Sequence, residues 1–154
     1  MPRFYISINK ITGKKALPDF LPITSIGDNG FRSAFYNCTG LTGSISFPSL
    51  ISIGSYGLYS TFENCTGLTG SISFPSLTSI GYYGLYFAFQ NCTGLTGSIS
   101  FPSLTSIGNN GLQNAFYNCT GITEVHFKSS VSGNSQCTKS NMGCTNATVY
   151  FDLP

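Results

Sequence analysis

The sequence predicts a single-domain α/β repeat solenoid, a coil with a parallel β-sheet on one face and short helices or turns on the other. The segment LTGSISFPSLTSIG occupies positions 68–81, recurs letter for letter at 95–108, and appears at 41–54 with Ile51 in place of threonine. A fixed period of about 20–50 residues is typical of solenoids and propellers. Four cysteines recur at the same spacing as these segments: Cys38, Cys65, Cys92 and Cys119.

A β-strand is predicted in the first part of each copy. Ile45 and Phe47 alternate with Ser44 and Ser46, which is the period of a strand with one buried face. Pro48 ends the strand, because proline has no backbone N–H to donate to a sheet.

The second part of each copy has a different apolar spacing. Leu58, Phe62 and Cys65 fall at i, i+4 and i+7, the spacing of a short helix with one apolar face. Each copy is therefore expected to form a strand, a turn and a short helix. The residues that would face solvent on this helix are Tyr59, Ser60 and Glu63.

One such coil is not expected to be stable alone, because its apolar side chains bury too little surface to offset the entropy of ordering the backbone. Stacking of coils supplies the missing stabilisation. Successive strands would lie about 4.8 Å apart in a parallel sheet, so each Leu, Ile and Phe would pack on its own copy in the next coil.

The ends of the array are expected to be closed by segments that depart from the repeat. RFYISINKI (3–11) alternates like an opening strand, LPITSIG (21–27) enters the register of the repeats, and ATVYFDL (147–153) alternates like a closing strand. One domain spanning 1–154 is therefore predicted. It divides into an N-terminal cap (1–22), the equal-length repeats (23–121) and a C-terminal cap (122–154).

The segment SIGSYGLYSTFENCTGLTGSISFP (52–75) resembles the BspA-type leucine-rich repeat, whose unit runs approximately I-G-x-x-A-F-x-x-C-x-x-L-x-x-I-x-I-P. The resemblance spans about 23–121 and includes AFYNCTG at both 34–40 and 115–121. Extra residues precede the Phe-x-x-Cys segment and one more lies in the strand, whereas ITEVHF (122–127) keeps the shorter spacing. The resemblance implies a leucine-rich-repeat coil with a non-catalytic adhesion or recognition role at a cell or virion surface, and a protein or glycan ligand.

The composition favours a folded domain and argues against several partners. Hydrophobic residues make up 41% of the 154 residues and aromatic residues 14%, which is enough for a continuous core. Charged residues are only 8%, and the net charge is +2 without a basic stripe, so we expect no nucleic-acid partner. No apolar run has the length of a membrane span or of a signal peptide. We therefore expect no membrane insertion, while the location of the protein stays open.

The regularly spaced cysteines are expected in the core, since free cysteine is among the most buried residue types. The asparagine before each of them has the form of an Asn-Cys-Thr glycosylation sequon, but its place in the coil favours a hydrogen bond to turn backbone. Cys137 and Cys144 lie in the C-terminal cap, and a disulfide between them stays open. Two cysteines without a second pair of ligands do not make a zinc site, so we expect no metal and no cofactor.

His126 is the only histidine in the chain. Val125 and Phe127 flank it with the inward phase of the last strand, so its side chain is expected to point outward. Glu124 could neighbour it, but no third group is evident that would orient a nucleophile. We therefore expect no enzymatic activity.

The differences between copies are concentrated in one window. All five differences between 68–94 and 95–121 fall at positions 82–90, and four of the five between 41–67 and 68–94 fall in the equivalent window. The repeated residues are therefore predicted to build a scaffold, and the varied residues to decorate one edge of it.

Large aromatic residues gather in this window on two adjoining coils. Rigid amphipathic rings are typical of binding surfaces, so the window is predicted to bind the ligand. Packing of the rings between coils and relaxed constraint on exposed positions are the alternatives. The candidate residues, called the aromatic cluster below, are Tyr56, Tyr59, Tyr82, Tyr83, Tyr86 and Phe87.

A second kind of function is a structural subunit of a fibre or phage tail appendage. Open solenoid ends are strand edges that can pair with another chain, and an uncharged middle offers little repulsion. The caps are expected to limit this to a monomer or small oligomer, with end-to-end association as the alternative. A lesser possibility is a flat polar array on the sheet that meets ice or polysaccharide. It would consist of Ser44, Ser71 and Ser98 beside Ser46, Ser73 and Ser100.

Overall fold

The computed structural model describes residues 15–16 and 23–154, which wind into a parallel β-solenoid of about five turns with few helices. The predicted leucine-rich-repeat solenoid is confirmed. The strands are β1 (Lys15–Ala16), β2 (Ser25–Ile26), β3 (Leu41–Ser46), β4 (Ser52–Ile53), β5 (Leu68–Ser73), β6 (Ser79–Ile80), β7 (Leu95–Phe101), β8 (Ser106–Ile107), β9 (Gly121–Lys128) and β10 (Thr148–Leu153). Two 3₁₀ turns, Ser129–Val131 and Ser135–Cys137, and helix α1 (Lys139–Met142) lie between β9 and β10.

The strands form two parallel sheets that run along the solenoid. The larger has the order β1-β3-β5-β7-β9-β10 and the smaller β2-β4-β6-β8. Equivalent residues of successive copies lie side by side: Ile45 pairs with Ile72, Ile72 with Ile99, and Ile99 with Val125. The predicted closing strand is β10, whereas the predicted opening strand 3–11 lies outside the described residues.

The extra strand residue forms a bulge in each long copy. The register of β3 on β5 shifts between Gly43 and Ile45, and that of β5 on β7 shifts between Gly70 and Ile72. Gly43 has φ +94° and Gly70 φ +74°, a left-handed conformation that costs glycine little because it has no Cβ. Beyond the bulge the predicted alternation holds, since Ile45 and Phe47 are buried and Ser46 is exposed.

The segment between the two sheets is a run of turns, where a short helix had been expected. These turn runs span residues 27–38, 54–65, 81–92 and 108–119. Along each run, alternate backbone N–H groups donate to the carbonyl three residues back and so close a turn, as the N–H of Thr61 does to the carbonyl of Leu58 at 3.2 Å. The N–H groups between them donate to the next coil, as the N–H of Phe62 does to the carbonyl of Ala88 at 2.8 Å. A helix would use its N–H groups internally, whereas this arrangement ties neighbouring coils together.

Each turn run places every fourth residue in the left-handed region, with φ between +49° and +61°. Leu58, Phe62 and Cys65 point into the core as predicted. Ser60, which the helical spacing placed in solvent, is only 5% exposed because the turns rotate it inward. Asparagine tolerates this conformation best among residues with side chains, and it supplies seven of the twelve positions: Asn29, Asn37, Asn64, Asn91, Asn110, Asn114 and Asn118.

Two columns of phenylalanine rings fill the core. Rings of the turn runs stack at centroid distances of 5.1, 5.3 and 5.6 Å, and rings next to the larger sheet at 5.6, 5.4 and 5.3 Å. The predicted packing of each residue on its own copy is confirmed. The columns are Phe35, Phe62, Phe89 and Phe116, and Phe47, Phe74, Phe101 and Phe127.

The segment after β9 covers the last coil. The N–H groups of Asn114 and Phe116 bond to the carbonyls of Asn141 and Met142 at 2.7 and 3.0 Å, so α1 continues the bonding between coils. Met142 is fully buried there. The division into caps at 22 and 121 stays a prediction. Within the described part of the chain, no helix has the length and apolarity to cross a membrane.

Candidate binding surface

The turn runs bring the aromatic cluster together in columns, because residues one repeat apart lie on adjacent coils. The ring of Tyr56 stacks on that of Tyr83 at 5.4 Å between centroids, with 8° between the planes. Tyr59 stacks on Tyr86 at 5.2 Å and 23°. One face of each of these four rings is therefore covered by its partner.

The remaining two rings extend the cluster. Tyr82 is 45% exposed and stands edge-on to Tyr83 at 4.3 Å and to Tyr56 at 5.6 Å. Phe87 contacts Tyr86 at 4.0 Å. A hydrogen bond with Tyr83 raises the pKa of Tyr82, and burial raises that of Tyr86, so both hydroxyls stay protonated at neutral pH.

Arg32, which was not predicted from the sequence, joins this surface from the preceding coil. Its guanidinium carbon lies 4.8 Å from the ring centroid of Tyr59 and 5.3 Å from that of Tyr56, within the range of a cation–π contact. A signal was available, because Arg32 stands exactly one repeat before Tyr59 in the sequence. The repeat register alone places it in the same column.

Three residues of the cluster hold a left-handed backbone. Tyr56, Tyr83 and Phe87 have φ of +55°, +51° and +53°. For bulky side chains this conformation is uncommon and costs about 1–3 kcal/mol each. On the following coil the positions equivalent to Tyr83 and Phe87 are Asn110 and Asn114.

A cluster of polar side chains around His126 lies on the outer face of the larger sheet. His126 points out of β9 as predicted. As the imidazolium it donates through Nδ1 to Asp152 Oδ1 (2.9 Å) and through Nε2 to Glu124 Oε2 (3.1 Å). Its ring stacks on Tyr150 at 4.8 Å. No third group beside His126 and Glu124 was expected from the sequence; the parallel pairing of β10 with β9 supplies Asp152. Both ring nitrogens face carboxylates, so neither is directed at a nucleophile.

We expect the pKa of His126 to lie above its usual value, because hydrogen bonds to Asp152 and Glu124 favour the charged ring. The stabilisation from this charge is present below the unfolded pKa, about 6.5, and is lost as the pH rises through the folded pKa. NMR titration of the imidazole resonances in wild type and Asp152→Asn measures it. The substitution should lower the pKa of His126; an unchanged pKa would contradict the geometry.

The regularly spaced cysteines pack in the core as predicted. Cys65, Cys92 and Cys119 are buried and Cys38 is half-buried. The Cys65 thiol donates to the carbonyl of Phe35 at 3.0 Å, and burial raises its pKa to about 12. Cys137 and Cys144 in the cap are free and buried. Among residues 15–16 and 23–154, no group of three or more His, Cys, Asp and Glu could hold a metal ion.

The asparagines before these cysteines bond to one another, where bonds to turn backbone had been expected. Asn64 Nδ2 donates to Asn37 Oδ1 at 2.6 Å, Asn91 to Asn64 at 2.7 Å, and Asn118 to Asn91 at 3.1 Å. The coil spacing of about 4.8 Å suits such amide ladders. These side chains are therefore part of the scaffold.

Comparisons with known proteins identify the family. The chain matches the model of the BspA type leucine-rich repeat region in six copies over residues 24–150. The crystal structure of a leucine-rich repeat protein from T. pallidum is similar over 90% of this chain and 69% of that one, with 24% identity and a TM-score of 0.44. No curated protein matches the chain. Because this family model matches well over half of the chain, the chain belongs to the BspA-type leucine-rich repeat family.

Proposed function

We propose that this protein is a non-catalytic recognition or adhesion module whose aromatic cluster contacts a ligand on a cell surface. Leucine-rich repeats generally serve as scaffolds for protein interaction. The proposal adds that the contact is made on the turn side of the coil, and assigns it to the cluster and Arg32.

The observation that carries the proposal is the left-handed backbone at Tyr56, Tyr83 and Phe87. Relaxed constraint would favour residues that accept this conformation, such as the asparagines on the next coil. Aromatic residues cost stability there, and residues that break a local rule without a folding benefit are concentrated at functional sites.

Packing between coils does not account for these residues by itself. A stacked aromatic pair contributes about 0.5–1.5 kcal/mol beyond its buried area. The left-handed backbone costs a similar amount, about 1–3 kcal/mol. In the Tyr56–Tyr83 pair the strain of two left-handed residues therefore exceeds the energy that stacking adds to burial, so stacking by itself does not favour tyrosine over asparagine there.

The test is a triple variant, Tyr59→Gln, Tyr83→Asn and Tyr86→Gln, which installs the residues found at positions 113 and 110. We expect its melting temperature to stay within about 4 °C of wild type, because lost stacking is offset by relieved strain at position 83. Binding on a protein or glycan array should disappear.

The control is Tyr36→Gln with Tyr117→Gln, which changes two exposed tyrosines outside the cluster and should keep binding. If the triple variant unfolds, the rings serve packing and the proposal loses its support. If it stays folded and still binds, the ligand lies elsewhere, and the serine-lined face of the larger sheet becomes the leading alternative.

The fibre subunit has one observation in its favour: among the described strands, β10 lies at one end of the larger sheet and has β9 as its single neighbour. We expect a monomer or small oligomer nevertheless, because the exposed alternate side chains of β10 are polar and include the charged Asp152, and charge on an edge strand disfavours pairing. Light scattering over a concentration series checks this. A mass that rises without limit would favour the fibre.

A further inference from the structure

We propose that the aromatic cluster recognises an acidic protein segment, which places a carboxylate against the guanidinium of Arg32. This rests on the proposed function, because it names the chemistry of the ligand for the same surface. The inference follows from how Arg32 is held, from the charges around it, and from the orientation of the rings.

The side chain of Arg32 is exposed to solvent, but its contacts hold it in one orientation. Its guanidinium lies over Tyr56 and Tyr59, and Nη1 donates to Asn29 Oδ1 at 3.3 Å. A guanidinium has five N–H donors in a rigid fork that matches a carboxylate. The aromatic platform fixes the plane of this fork in advance, which lowers the entropy cost of forming a bidentate pair.

The charge of Arg32 is not compensated by the described residues. Both ion pairs found in them are formed by His126. Asp28 accepts a hydrogen bond from the backbone N–H of Ser55, and Glu63 accepts one from Gln90. Within residues 15–16 and 23–154, Arg32 is therefore a cation without an ion-pair partner at the edge of an aromatic surface, and a carboxylate is the group that complements it.

The ring geometry favours a protein over a sugar. A sugar ring stacks on a free aromatic face, whereas the pairs Tyr56–Tyr83 and Tyr59–Tyr86 cover one face of each of these four rings. The guanidinium of Arg32 also lies over Tyr56 and Tyr59. What the cluster offers is adjoining tyrosines beside an arginine. Tyrosine and arginine are among the residues most enriched at the energetic centres of protein interfaces.

The experiment uses a library of random 12-residue peptides displayed on phage, selected in parallel on wild type and on Arg32→Gln. We expect Asp and Glu to be enriched among wild-type binders only. A selected acidic peptide should bind Arg32→Gln about tenfold more weakly or worse, with Arg32→Lys in between because lysine cannot form the bidentate pair.

The outcomes separate this inference from the proposed function. If the tyrosine triple variant no longer binds the selected peptides but Arg32→Gln still does, the inference of an acidic ligand fails, and the aromatic cluster remains the proposed binding surface. If both variants still bind the selected peptides, the inference and the proposed function both fail. Arg32-dependent binding of a uronic-acid oligosaccharide without peptide binding would overturn it as well.

Discussion

Phe89→Ala is expected to lower the free energy of unfolding by about 3–5 kcal/mol, the range for deleting a fully buried phenylalanine. The ring of Phe89 is fully buried and stacks on Phe62 at 5.3 Å and on Phe116 at 5.6 Å. Its loss removes two stacking contacts and leaves a cavity between coils that identical neighbours cannot fill. Denaturant unfolding monitored by circular dichroism measures the change.

The matched control is Tyr36→Ala, because Tyr36 is an aromatic residue of the same turn-run architecture that is 46% exposed. We expect a change of about 0.5 kcal/mol or less. Similar losses for the two variants would mean that the phenylalanine column does not hold the coils together.

Gly94→Ala is expected to destabilise the protein by about 3 kcal/mol, the upper end of the range for overpacking. A Cβ on Gly94 would overlap the carbonyl oxygen of Leu68 and lie 3.1 Å from that of Thr66. Both atoms belong to the main chain of the preceding coil and cannot turn away as a side chain could. The coils would have to move apart, and the melting temperature should fall accordingly.

The control here is Gly43→Ala. Gly43 has φ +94°, but no atom beyond its two chain neighbours lies within 4 Å of the Cβ it would gain. Only the strain of a left-handed alanine remains, about 1–2 kcal/mol. If Gly94→Ala proves as stable as Gly43→Ala, successive coils do not approach each other at Gly94 as closely as the structure shows.

The repeat made the arrangement of coils predictable. A constant repeat length fixes which residues become neighbours, so the Phe columns and the pairing of Ile45 with Ile72 followed from spacing alone. The alternation around Ile45 fixed the strand and its buried face. Both results depend on periodicity, which a single sequence contains.

The turn runs were not predictable in the same way. The spacing of the apolar residues at 58, 62 and 65 is compatible with a helix, and it is equally compatible with turns that repeat every four residues. The difference lies in the backbone hydrogen bonds to the next coil, which no side-chain spacing reveals. Asn64 and Asn91, at left-handed positions, were the available sign.

The candidate surface was predicted in part. The grouping of Tyr59, Tyr83 and Tyr86 followed from the variable window, and their stacking follows from the register. Arg32 was missed because it precedes residue 41 and so lies outside the three copies whose differences define the variable window. Asp152 was missed because the pairing of β10 with β9 includes a register shift after Tyr150, which the sequence does not mark.

The most direct test of the proposed division between scaffold and recognition surface is hydroxyl-radical footprinting of tyrosines with and without the ligand recovered on the array. Tyr82 on the aromatic cluster and Tyr150 on the sheet face are 45% and 39% exposed, so each reports on one face with comparable sensitivity. We expect the ligand to slow oxidation of Tyr82 severalfold and leave Tyr150 unchanged. Protection of Tyr150 with no change at Tyr82 would place the ligand on the sheet and contradict the assignment.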